Sequence, residues 1–248
     1  MKTSFSRIMA SITLILLRGI APADEPGTRI ARDVDRLETR SSSRMRIEMT
    51  VYPEGGAEKR VFVIESQERE NGDSLASFIE PKSIRGLRIL SAGRDSWVYF
   101  PSTGRVRKIA GSSRSGSVQG VGGDFSYEDL GAGDWAATYS FDLVSEDAFS
   151  WVILGRATAK DATYDAAELT VRKSDGRPTR VRFSSIAEGG FFKILDFLEY
   201  KAFGNRTVPA TMEMRNMKKE SRTVVRVVEA VFDQRLEDRL FDPTRFDK

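Results

Sequence analysis

The chain has 248 residues, no Cys and no His, with 39 basic against 36 acidic side chains. Its length suffices for a large core without covalent staples. The two absences exclude disulfide frameworks, Ser-His-Asp and Cys-His catalysis and every His- or Cys-based zinc site, so an enzyme here would have to run on carboxylates, Lys, Tyr or a Ser-Lys pair.

The first residues read as an export signal. Lys2 and Arg7 precede the apolar run Ile8 to Leu17, and Ala21-Pro22-Ala23 offers a small-residue cleavage site before Asp24. The run is too short to anchor the chain, and no later segment approaches the ~20 apolar residues of a spanning helix. Lys2, Arg7 and Arg18 are the leader's only charges, so residues 24–248 carry 36 basic and 36 acidic groups. The apparent pI near 9 belongs largely to the leader, and with it goes the basic footprint expected of a nucleic-acid binder.

Pro26 to Arg40 places Ile30, Val34 and Leu37 at helical spacing, which predicts a short amphipathic helix. Ser41-Ser42-Ser43 breaks it. The period then changes to two, with Met45, Ile47, Met49 and Val51 on one face of a first strand. About a dozen strands follow, separated by Gly55-Gly56, Asn71-Gly72, Gly93-Arg94-Asp95, Ser102-Thr103-Gly104, Asp175-Gly176 and Gly204-Asn205. Such short, regular spacing predicts an antiparallel sandwich or barrel over a single domain, 24–248. Strands are longest near the C-terminus, at Phe191 to Ala202, Val208 to Met217 and Thr223 to Phe232, as a curled sheet requires. Gly111 to Gly123, almost wholly Ser, Gly, Arg, Val and Gln, reads as a mobile loop.

That loop leads into GGDFSYEDL, residues 122 to 130, where three acids crowd together. With Ser126 as N-cap, Asp129 falls at the third helical position of a capping box, and Phe125 and Leu130 form a hydrophobic staple. Glu128 and Asp129 then sit in a first turn, where the helix dipole favours carboxylates. A carboxylate hydrolase built on Asp124 and Glu128 is the competing reading, and it needs a separation that sequence does not supply.

DSWVYFPSTGRVRKI, Asp95 to Ile109, is a hairpin with Trp97 and Tyr99 on one face and Val98 and Phe100 on the other. Trp97 and Tyr99 are either core aromatics or the lining of a ligand cavity that Arg107 closes. Met45 and Met49 share one strand face, as do Met212 and Met214, and flexible thioethers suit an apolar interior that adapts to varied partners. No phosphate-cradling loop, nucleophile elbow or calcium loop is present.

Four segments in order, IEPKSIRGLRIL (79 to 90), DSWVYFPSTGRVRKIA (95 to 110), GGDFSYEDL (122 to 130) and RLEDRLFDPTRF (235 to 246), give the chain its resemblance to the periplasmic outer-membrane lipoprotein-sorting proteins, the LolA-like group. The resemblance implies a mainly β fold: a strongly curved, unclosed antiparallel β-barrel with a few short helices covering an apolar cavity. It further implies a soluble periplasmic carrier of lipid or acylated lipoprotein, without cofactor or enzymatic activity, and with an RND-type exporter as a partner. The cavity and lid candidates are Met45, Met49, Trp97, Tyr99, Arg107, Phe125, Tyr127, Leu130, Met212 and Met214. Docking to an exporter or envelope complex without carrying anything is the alternative.

Overall fold

In the computed structural model, the structure describes residues 25–37, 41–93, 95–109, 121–126, 135–158 and 162–247. The leader and most of the segment between Ile109 and Trp135 therefore lie outside the described residues.

A helix, α1 (Pro26–Leu37), precedes six strands: β1 (Ser43–Tyr52), β2 (Arg60–Glu68), β3 (Ser74–Glu80), β4 (Arg88–Ala92), β5 (Asp95–Phe100) and β6 (Arg105–Ile109). One helical turn, α2 (Trp135–Thr138), then leads into β7 (Tyr139–Glu146), β8 (Ser150–Ala157), β9 (Ala166–Arg172), β10 (Pro178–Ser185), β11 (Gly190–Phe203), β12 (Arg206–Asn216) and β13 (Ser221–Phe232). Every neighbouring pair is antiparallel. All thirteen strands form one sheet, in the order β6-β5-β4-β3-β2-β1-β13-β12-β11-β10-β9-β8-β7. The strands at the two ends of the chain thus pair in the middle of the sheet, and β6 and β7, neighbours in sequence, are its open edges.

Cross-strand register assigns the two faces. Leu143, Ile153, Leu169, Val181, Leu195, Met214, Thr223 and Val51 stand directly opposite one another in a continuous row from β7 to β1. A second row runs Phe62, Met49, Val225, Met212, Phe197. Side chains of both rows, from strands far apart in the sheet order, meet in one core cluster together with Ala31 and Val34 of α1. That convergence requires the sheet to curl around its apolar face, and the mainly β, unclosed antiparallel architecture expected from the sequence is what the chain adopts.

The core stripe of the described helix is Gly27, Ala31 and Val34; Ile30 is half-buried and Leu37 is 45% exposed. Gly27 explains the shift in the stripe. A Cβ there would lie 2.5 to 2.8 Å from the backbone of Phe141 and its neighbours, so the helix backbone rests directly on β7 and turns its small residues inward. Thr28 fixes the contact, its Oγ1 donating to Phe141 O at 3.2 Å and accepting from Phe141 N–H at 3.3 Å. Asp35 accepts from the backbone N–H groups of Trp135 and Ala136 at 3.0 and 2.9 Å, tying α2 to α1.

On the outer face, Leu75, Leu90 and Trp97 form one cross-strand row. The segment after β13 crosses over them, so that Phe241 and Phe246 are buried with Leu75 and Leu90 in a second, smaller cluster that Trp97, Tyr99, Leu236 and Leu240 join. Arg88 donates to Phe246 O at 2.5 Å, and Arg69 pairs with Asp238 while lying over the Phe241 ring.

Candidate functional site

The candidate site is a cavity of about 390 Å³ at one end of the curled sheet. Its roof is Val34 and Leu37 of α1, and its walls include Ser43 and Met45 of β1, Pro178, Tyr200, Thr207, Val208 and Phe232. The polar groups Ser41, Glu68, Arg177, Asn205 and Arg206 complete the lining.

A break in the sheet creates this space. β12 and β13 pair only from Thr211 opposite Arg226 to Asn216 opposite Ser221. Beyond that point β12 continues along β11 to Arg206, and β13 continues along β1 to Phe232. The two strands diverge like the arms of a fork. Pro209 stands in the diverging arm of β12, where its missing N–H removes no bond between the two strands. Across the fork mouth, the Arg206 guanidinium pairs with Asp233 at 3.2 Å and lies 5.4 Å from the centre of the Phe232 ring.

A knot of charges stiffens the neighbouring rim. Arg172 donates to both carboxylate oxygens of Asp175, at 2.9 and 2.6 Å. Those bonds, with help from the backbone and side chain of Arg177, hold the Asp175 carboxyl down at about 2. Tyr200 donates to Pro178 O at 2.7 Å, placing its ring within 6 Å of both arginine guanidiniums.

The other end of the sheet holds Asp124, only 3% exposed. Its Oδ1 accepts from Ser221 Oγ at 2.5 Å and its Oδ2 from Thr223 Oγ1 at 3.0 Å, while its backbone N–H donates to the same Thr223 oxygen at 3.0 Å. Val121 and Phe125 on either side belong to the main core. Gly122 and Gly123 have φ of 64° and 87°, and a Cβ on Gly123 would come within 2.9 Å of Thr223 Oγ1 and 3.0 Å of Val51. The described end of the segment read as a mobile loop is therefore a close-packed plug, and these glycines serve close approach. The arrangement gives Asp124 the role of an anchor: two hydroxyls donate to its carboxylate, and its own backbone amide is bonded to one of those same hydroxyls. The rest of the capping box, Glu128 and Asp129 included, lies outside the described residues.

The candidate residues separate into groups. Met45 lines the cavity. Met49 and Met214 are buried and Met212 partly buried in the main core, on the concave face that leads to it. Phe125 belongs to the plug, at the opposite end of the sheet from the cavity. Trp97 and Tyr99 are a correction: they face the outer side and pack under the C-terminal segment, whereas Val98 and Phe100 of the same strand face inward. Arg107 stands opposite inward-facing Val98 but lies exposed on the edge strand β6, away from the cavity lining. Tyr127 and Leu130 lie outside the described residues. Reading the sequence missed Tyr200, Arg206, Thr207, Val208 and Phe232, although Pro209 inside a long alternating run was a signal that the ladder stops there.

Among the described residues no group of three or more Asp or Glu could hold a metal ion, and no helix is long and apolar enough to cross a membrane. No curated protein matches the sequence. A family model with the description "-like: Uncharacterized protein" matches residues 70–248. Among solved structures, a Vibrio parahaemolyticus domain provisionally described as an outer membrane lipoprotein-sorting protein domain is 24% identical, with a TM-score of 0.80 over 90% of this chain and 98% of that one. A DUF1329 family protein from Desulfovibrio piger is 22% identical, with a TM-score of 0.78 over 87% and 95%. A LolA superfamily protein from Nitrosomonas europaea is 20% identical, with a TM-score of 0.72 over 87% and 97%. The chain therefore belongs to the family whose model matches residues 70–248, and it has the LolA-like fold.

Proposed function

We propose that the protein is a non-enzymatic periplasmic carrier that shelters the apolar part of a lipid or acylated lipoprotein and hands it towards the outer membrane. The observation that carries this reading is the cavity between α1 and the diverging strands of an unclosed sheet whose concave face is apolar. Its volume falls within the ~300–1,000 Å³ usual for small-molecule sites. Likeness to a lipoprotein-sorting domain and a LolA superfamily protein supports the same reading at the level of fold.

Shelter is what such cargo needs. Moving an acyl chain from a bilayer into water costs ~0.8 kcal/mol per methylene, or ~12 kcal/mol for about fifteen of them. A carrier offsets most of that cost and must still let go. Met45 at the cavity and Met49 and Met212 beneath it provide a lining that repacks around chains of different shape. α1, held to β7 and α2 through Thr28 and Asp35, is the cover whose displacement would lengthen the cavity along the concave face.

The test is binding of a fluorescent fatty acid to the delipidated protein as a monomer, with Met45→Trp to fill the cavity. Saturable binding that falls more than tenfold in Met45→Trp is expected. No binding to the wild-type protein overturns the proposal.

A further inference from the structure

The fork between β12 and β13 has a property that an acyl chain alone does not use. Among the described residues, the backbones of 206–210 in β12 and 227–232 in β13 pair with their outer neighbours, β11 and β1, and not with each other. Two strand edges with backbone donors and acceptors consequently face one recess. The recess opens directly onto the cavity, because Arg206, Thr207, Val208 and Phe232 line both. Val228 and Val231 on the β13 arm are 42% and 52% exposed, so the arm presents apolar side chains outside beside the exposed Glu229. Val228 is also the extra residue of a bulge, since Arg46 pairs with Glu229 and Ile47 with Val227. Bulges re-aim a strand and end pairing, which is how β13 leaves β12.

Exposed strand edges recruit extended chains, whose amides complete the ladder. The open sides of β6 and β7 are ordinary outer edges. The fork differs in being a wedge closed at the Thr211 and Arg226 pair, with room defined on both sides and an apolar chamber behind it. We propose that the fork is a peptide-binding site: an extended polypeptide segment adds to the β12 or β13 edge there, while an acyl group attached to that segment occupies the cavity. At ~3.3 Å per residue, the β12 arm offers roughly 16 Å of edge, enough for about five residues. The proposal rests on the carrier reading and sharpens it, because it makes the ligand an acylated polypeptide and not a free lipid.

The chemistry defines the experiment. Binding to the full exported protein is measured for a palmitoylated hexapeptide, for the same lipopeptide with its backbone nitrogens methylated, and for palmitate, with amide hydrogen exchange followed in each complex. Methylation removes the N–H donors of an added strand and leaves the acyl chain intact. The expected result is that the unmodified lipopeptide binds at least tenfold more tightly than the other two, and that it alone protects amides at 206–210 and 227–232. Equal binding of all three, with unchanged exchange in the fork, overturns the peptide site and leaves a lipid carrier standing. Failure of all three to bind overturns the carrier reading, and the peptide site falls with it.

Discussion

Asp124 and Thr223, 99 residues apart, are joined by two hydrogen bonds in which the same hydroxyl accepts from the Asp124 backbone and donates to its carboxylate. Thr223 is fully buried. Thr223→Val keeps the shape and removes both bonds, leaving a buried carboxylate short of one donor and an amide without its acceptor. A loss of about 2–4 kcal/mol is expected in denaturant unfolding, because each buried group left unsatisfied costs about 1–3 kcal/mol and a charged one more. Thr223→Ser, which retains the hydroxyl, should lose much less.

The methionines should divide by place and not by type. Met214 is fully buried in a cross-strand row, so Met214→Ala is expected to cost about 2–5 kcal/mol. Met45 already borders empty space, and Met45→Ala should cost under about 1.5 kcal/mol. Thermal midpoints of the two variants read the difference directly.

Acid should loosen the rim and the C-terminal segment. Asp175 and Asp242 are each held at about 2, the first chiefly by Arg172 and the second by Thr244 and Arg245. Their ordinary value is near 3.9, so the fold favours the ionised forms. That stability is fully present above about pH 4 and is lost as pH falls towards 2. Stability measured from pH 5 to pH 2 is expected to decline, and Asp175→Asn should flatten part of the decline. Asp175 is partly exposed, so added salt should shrink its share.

Beneath the C-terminal segment, Phe246 is fully buried against the outer face. Phe246→Ala is expected to cost about 3–5 kcal/mol and to shift tryptophan emission to the red as Trp97 meets water. A variant with wild-type stability and unshifted emission would contradict the packing described.

Period-two alternation in β1, the long strands near the C-terminus and the glycine turns between strands were legible because each depends on a few adjacent residues. The facing of Trp97 and Tyr99 was legible only as a division between two sides. Which side is the interior depends on Phe241 and Phe246, more than 140 residues later, whose motif was visible in the sequence without its partner. For α1 the spacing was right and the stripe was displaced, since Gly27 takes its place from the backbone of Phe141 and not from hydrophobicity. The cavity was the least legible element. It arises where two strands cease to pair, and sequence marks that only through Pro209 and the extra residue Val228.

The sheet order also has a kinetic meaning. From β1 to β6, and again from β7 to β13, each strand pairs with its successor, so both halves form through short-range contacts. Only β1 with β13 joins residues nearly the length of the folded chain apart. Closing that span carries the largest entropic penalty of any strand pair, and contacts of such separation slow folding. A circularly permuted chain, its old ends linked and new ones opened between β6 and β7, would turn the sheet into an uninterrupted meander. It should collapse to the same barrel faster, with the seam between β1 and β13 converted from the last contact made into an ordinary hairpin.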